Sequence, residues 1–443
     1  MKNILDFLLL WIRGGKNSLF PAILRRKNPS INKLLPEPFS LSCEKNPRLS
    51  TRANFTRSLF LILLLLLPLS VAANPMSEAF DEALEARMEN SGIHELSQTL
   101  EQASDGSYRE IVPEFDMEAA ARRAAKGEWS RNPADILRRL LGMFLRELTG
   151  ERGSFLGIIA LALAAAVIEN LQRSFNAEGV GEVAFFTCFF MVAALGIKVF
   201  TNTVQYAAEA VDGLVLFIYS LVPVTLTLLA SSGAPASAGV FHQVMLLSAQ
   251  TVSMLIKSLV IPLITLYTAL SAANNISGNA SVGRLAGIFK NAAKWTLGIM
   301  TTLFLGIISL YSITAPAIDG VYVKTAKYAV GNFVPIVGSV LSETVDLVFG
   351  CSVVLKNAIG AAGLIAIACI AAVPLIKLLA GAAMFSLAAA IIEPVSDKRT
   401  VSLLGSLSEA VTLLFAAVIT TALMFIISTA VVIAAGNTAA SLI

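Results

Sequence analysis

The sequence predicts an all-α polytopic membrane protein with a small extracytoplasmic helical domain and two tandem repeat units in its membrane region. Three observations carry that expectation. Charged residues are only 14% of the 443, against 56% hydrophobic, and the mean hydropathy is +0.74; a soluble domain carries roughly 25% charged residues. Uncharged runs such as Trp295 to Ile318 and Ala410 to Gly436 exceed the about 20 apolar residues that cross a bilayer as a helix. Landmarks in the second half of the chain recur at a constant interval. The net charge of +3 decides nothing, because the sign varies along the chain.

The N-terminal region reads as a presegment and signal n-region (1–57) followed by a signal peptide (58–73). Ser58 to Ala73 reads SLFLILLLLLPLSVAA, preceded by Arg48, Arg52 and Arg57 and closed by Val71-Ala72-Ala73 before Asn74. A basic flank, a short apolar run and small residues at its end define a cleaved secretory signal. An uncleaved anchor is the alternative, but the run is short for a stable span. Residues 1–50 show no clean helical or strand period, and translation is expected to begin nearer Leu49. A precursor peptide from residues 1–45 would refute that start.

The segment 74–152 has the composition of a soluble extracytoplasmic helical domain. Phe80, Leu84 and Met88 recur every four residues, as do Leu96 and Leu100, predicting short amphipathic helices. A sharper helix follows, with Asn132 as N-cap, Pro133 in the first helical position and Gly150 at its end. Ile136, Leu137, Leu140, Leu141, Phe144, Leu145 and Leu148 form its apolar stripe, with Arg138, Arg139 and Arg146 on the other side. Two roles fit this helix. It lies on the membrane surface, or its apolar face closes the small domain.

The first two spans are placed in 153–204, as Ser154 to Leu171 and Val183 to Val204. Repeat unit 1 (205–313) and repeat unit 2 (314–436) follow, then a tail (437–443). Ala210-Val211-Asp212-Gly213 matches Ala317-Ile318-Asp319-Gly320, and Val222-Pro223-Val224 matches Val334-Pro335-Ile336. Pro223 and Pro262 are 39 residues apart, as are Pro335 and Pro374. Each unit then has a basic segment, Arg284 to Lys294 and Lys398 to Glu409, before its last uncharged run. Internal repeats are frequent in transporter folds. If both basic segments face the cytoplasm, the units are parallel, with each Val-Pro segment dipping in and returning before one full crossing. Pro223, Pro262, Pro335 and Pro374 are candidate helix breaks, since proline removes a backbone donor; ordinary kinks are the alternative.

Ionisable groups at membrane depth are costly and often functional. The candidate polar pathway is Glu343, Asp346, Lys257, Lys356 and Lys377; Glu343 and Asp346 share a helical face, and Lys356 or Lys377 is placed to neutralise them. Glu209, Asp212, Asp319 and Glu393 belong to the same group. The alternative is that these groups mark span ends and snorkel. Cys43, Cys188, Cys351 and Cys369 form no CxxC pair, and free cysteines are usually small core residues. His94 and His242 lie far apart, and there is no HExxH, GxxxxGK[ST] or GxSxG string. No catalytic residue, cofactor or metal is expected.

Several strings bear a specific resemblance. Thr325-Ala326-Lys327, Gly331-Asn332-Phe333-Val334-Pro335-Ile336-Val337-Gly338, Leu355-Lys356-Asn357 with Gly360 and Gly363, and Ile433-Ala434-Ala435-Gly436-Asn437 resemble the stage III sporulation protein AE family of endospore-forming bacteria. Phe304-Leu305-Gly306 with Ile308, and the order of signal, outer domain and multispan region, are similar too. The match covers about 55 to 443, and the presegment before Arg48 departs from the family's usual layout. The resemblance implies a non-enzymatic component of the channel or secretion-like apparatus joining mother cell and forespore. It implies a multi-pass location in the mother-cell-derived membrane, with the N-terminal domain facing the intermembrane space. Implied partners are ring-forming membrane proteins, a cytoplasmic ATPase, a forespore protein on the opposite side and membrane lipid, but no nucleic acid. Within that apparatus the chain is expected to be the export gate or conduit. A secondary transporter with a solute site at the repeat interface, and a structural platform for ring assembly, are the rival readings.

Overall fold

The computed structural model describes residues 88, 92–113, 115–127, 133–150, 152–175, 180–277, 280–333 and 338–440, with side chains at 133, 154, 169–182, 184–185, 276–281, 313–318, 320–348 and 436–440 outside that description. The presegment, the signal peptide, Phe80, Leu84 and the Asn132 cap therefore lie outside the described residues. The described residues are helical and contain no strand.

The small domain begins with α1 (Ile93–Ser104), in which Ile93, Leu96 and Leu100 turn inward. It ends where Asp105 and Gly106 take left-handed backbone conformations (φ 48° and 69°). In α2 (Met117–Lys126), the Asp116 carboxylate accepts hydrogen bonds from the backbone N–H groups of Glu118 and Ala119 at 3.2 and 3.4 Å. That is an N-cap of the kind acidic residues supply. Next come α3 (Pro133–Gly150) and α4 (Arg152–Phe175).

Long helices make up the rest. They are α5 (Val180–Ser231), α6 (Pro235–Leu255), α7 (Ile261–Ser277), α8 (Ala280–Phe333), α9 (Gly338–Ile392) and α10 (Lys398–Ala440). Among the described residues, five helices are long and apolar enough to cross a bilayer. The count rises to six if the α3–α4 pair, bent by 48°, is taken as one span. α5 runs without a break across 204–205, where the sequence placed the end of a span. It also continues through Pro223, as α9 continues through Pro374. A single missing N–H costs little in a helix held on several sides by neighbours, so the chain turns only at Ser232–Ala234, where Gly233 has φ 90°. Pro262 behaves differently. The five residues before α7, Ile256–Val260, form a π turn in which the Ile261 N–H reaches the Ile256 carbonyl. Pro335 lies outside the described residues.

α9 packs most extensively against α10 and α5, and close approach at glycines sets their directions. A Cβ on Gly196 of α5 would lie 2.7 Å from a Leu407 methyl carbon of α10, and one on Gly363 of α9 would lie 2.8 Å from Leu221 of α5. Gly360 of α9 meets Ile433 of α10 in the same way. Gly381 of α9 lies near Thr203 of α5, so α5 and α9 are antiparallel and α10 runs with α5. Small residues of this kind let helices approach where lipid offers no hydrophobic drive. The small domain docks on the far half of the long helices: the α1 backbone at Ala103 sits against Gly213, Gly92 faces Val224, and Ser220 donates to Thr99 at 3.1 Å.

Gly213→Leu should push α1 away from α5 at a cost of about 1–3 kcal/mol. Limited proteolysis in membranes should then cut within 93–126 at protease levels that leave the wild type intact, while membrane insertion is unchanged.

Candidate functional site

Charged and polar side chains mark the two ends of the long-helix bundle. At one end, the Tyr267 hydroxyl of α7 donates to the Glu409 carboxylate of α10 at 2.7 Å, and Lys290 of α8 pairs with the same carboxylate at 2.6 Å. The Lys290 ammonium also lies 5.7 Å from the Tyr267 ring centre, within cation–π range. Glu409 closes the second basic segment and Lys290 lies in the first. The two basic segments therefore meet at one end of the bundle, beside the turn after α9.

At the opposite end, the fully buried Asp319 of α8 accepts from the backbone N–H groups of Ala236 at 2.9 Å and Ser237 at 3.1 and 3.3 Å. With Pro235 opening α6, this carboxylate satisfies N–H groups that helix geometry leaves orphaned. Its negative charge also meets the positive end of the helix dipole. The sequence signal was the matched Ala-Ile-Asp-Gly string; the partner, more than 80 residues away, carried none.

Three of the five candidate pathway residues can be placed by their contacts. Lys356 of α9 is fully buried, and its ammonium donates to the Ile433 carbonyl of α10 at 2.8 Å. Lys377 of α9 lies 4.8 Å from the Tyr206 ring centre, in a small cleft shared with Glu147 of α3, Asn202 and Thr203. Lys257, within the π turn, forms a two-oxygen ion pair with Asp212 of α5 at 2.8 Å, both side chains about half exposed. Glu343 and Asp346 are helical residues of α9 whose side chains lie outside the described residues. Lys257 and Lys377 both reach α5, at Asp212 and Tyr206, while Lys356 reaches α10. Sequence reasoning missed Tyr267 and Glu409 as partners, although Glu409 lay in plain view at the end of a basic segment.

Among the described residues no group of three or more His, Cys, Asp or Glu is arranged to hold a metal. No disulfide joins Cys188, Cys351 and Cys369.

This arrangement defines an all-helical multispan membrane protein whose helix ends are tied together by charge. The comparisons agree. The family model described as stage III sporulation protein AE matches residues 115–436. A protein of Bacillus subtilis (strain 168) named stage III sporulation protein AE is 34% identical over 331 residues, covering 74% of this chain and 82% of its own length. The chain belongs to the stage III sporulation protein AE family. No solved structure matches it.

Two substitutions test these ties. Asp319→Ala should cost about 0.5–2 kcal/mol, the usual worth of a helix cap, with Asp319→Asn less damaging because one carbonyl oxygen remains; thermal unfolding in detergent reads both. A double-mutant cycle on Lys290→Gln and Glu409→Gln should give a coupling of about 0.5–3 kcal/mol.

Proposed function

We propose that this chain is a non-enzymatic gate or conduit subunit of the membrane complex that links mother cell and forespore during sporulation. Family membership supports the sporulation role, and the chain's apolar helices support the membrane location. The observation that carries the finer reading is the Lys290–Glu409 contact. With both basic segments at one end, an even number of crossings between them and a parallel arrangement of the two units is the reading this contact supports. By the bias of Lys and Arg toward the cytoplasm, that end faces the cytoplasm of the mother cell. The α1–α2 domain, docked toward the other end, then faces the intermembrane space.

Helix length supports the same reading. α5, α8 and α9 contain 52, 54 and 55 residues, roughly 80 Å each at about 1.5 Å per residue. A hydrocarbon core is about 30 Å thick. Part of the bundle therefore stands outside the bilayer, as a gate reaching toward a second membrane requires. Ring-forming membrane proteins and a cytoplasmic ATPase are its proposed partners, with lipid around the spans. Asp319 and Lys356, the most deeply buried described charges, bind backbone groups of neighbouring helices, which favours ties within a gate over ligands for a solute.

Labelling of Arg284→Cys and Arg399→Cys, in a variant without the native cysteines, should occur only from the cytoplasm; labelling from opposite faces would mean inverted units and overturn the orientation. A combined Glu343→Gln, Asp346→Asn and Lys257→Gln variant should assemble normally yet sporulate poorly. Full sporulation would remove the charged pathway and the transporter reading with it, and failed assembly would favour a structural platform.

A further inference from the structure

Helix α3 carries two apolar faces, and the protein covers only one. Leu140 and Met143 are buried, and α3 packs on α9. Leu137, Leu141 and Leu145 are 51%, 57% and 53% exposed. A spacing of four places these three leucines in one line along the helix. The sequence left open whether the stripe closes the small domain or lies on the membrane, and the structure divides it between the two directions.

The charges on α3 point to what covers the outer line. Arg138 and Arg139 are exposed in the same turns as the leucines. Arg146, at the far end, is engaged by Glu110, and Glu147 turns into the cleft with Lys377. Asp135 in the first turn is the remaining exposed acid on the helix, so the outer face has a basic rim. On α4, Leu156 and Val167 are exposed as well. α4 meets α3 at a bend of 48°. A helix that leaves a span obliquely, with leucines outward and exposed arginines in the same turns, has the composition of an interfacial helix.

We infer that α3 is a membrane-docking helix that lies in the interface of an anionic bilayer, with Leu137, Leu141 and Leu145 among the acyl chains and Arg138 and Arg139 at lipid phosphates. This rests on the chain being a membrane protein and not on the conduit reading. Arginine is suited to that contact because its planar fork meets phosphate oxygens in pairs and its stem lies along apolar surface. Docking at this point would hold the small domain at a set distance from the first span, because Arg146 ties α3 to the segment that joins α1 to α2.

The test uses the full-length protein in vesicles, with Trp11, Trp129 and Trp295 changed to Phe and a single reporter introduced as Leu141→Trp. Brominated acyl chains should quench its emission, as they should that of a Leu163→Trp control on α4. In mixed phosphatidylglycerol and phosphatidylcholine vesicles, quenching should be stronger when the anionic lipid carries the bromine. Arg138→Gln with Arg139→Gln should remove that preference, which is expected to be about fivefold per arginine. No quenching of the reporter while the α4 control is quenched would overturn the proposal, because a second copy or another protein then covers the leucines. Quenching without headgroup preference would overturn the anionic part. Leu145→Trp, on the same line, repeats the measurement if Leu141→Trp fails to fold.

Discussion

Helices in lipid gain nothing by hiding apolar side chains from one another, because the acyl chains are as apolar as leucine. A bundle of apolar helices therefore depends on shape, and here it depends on how closely α9 approaches α5 and α10. Gly196, Gly360 and Gly363 face Leu407, Ile433 and Leu221, with no room for a methyl group before the partner side chain moves. Dispersion over such contacts is small per atom pair and large in sum. The small domain uses the same device at Gly213, where the α1 backbone itself closes on α5. Packing of this kind fixes helix directions, and directions decide which charges can meet.

The charges then act as ties between segments that packing has brought to the same level. Asp319 reaches an N-terminus on α6, Lys356 a carbonyl of α10, and Glu409 both Lys290 and Tyr267. Unpaired, each would be expensive in an apolar setting. Paired, each favours one register of two helices over its neighbours, since a slip of one residue rotates a side chain by about 100° away from its partner. Asp212 and Lys257 join the same scheme from a π turn. Pro262 cannot donate, and the extra residue per turn before it re-aims Lys257 toward α5. Such single-turn bulges occur often at functional positions.

The sequence made the class of fold legible because composition and uncharged run length speak directly to the bilayer. The extent of α3 was legible too, since the apolar stripe between Pro133 and Gly150 has helical spacing. Span boundaries were less so. Nothing local stops α5 at 204, and its true end comes from the Gly233 turn well beyond Pro223. Proline alone could not separate Pro262, which follows a π turn, from Pro223 and Pro374, which leave their helices intact; the difference lies in the neighbours. Lys257, Lys356 and Lys377 could be singled out as charges in apolar runs, but not their partners. Asp212, the Ile433 carbonyl and Tyr206 lie 45, 77 and more than 100 residues away, and only packing brings them near.

The length of the helices constrains how the molecule sits in its membrane. Along α5 the exposed apolar residues run from Val183 to Leu216, roughly 50 Å of helix at about 1.5 Å per residue. A span tilted by about 40°, the upper end of what is observed, needs only roughly 39 Å of helix to cross a 30 Å core. Tilt therefore does not absorb the excess. At the level of Gly213 to Val224, α5 is coated on one side by α1, whose outer face carries Glu95, Gln98 and Glu101. Those groups require water. At the same level, on the side reached by the Tyr219–Gln250 hydrogen bond, α6 exposes Leu247 and Met254. Water on the α1 side therefore marks this level as the edge of the hydrocarbon, where helices longer than the bilayer leave it.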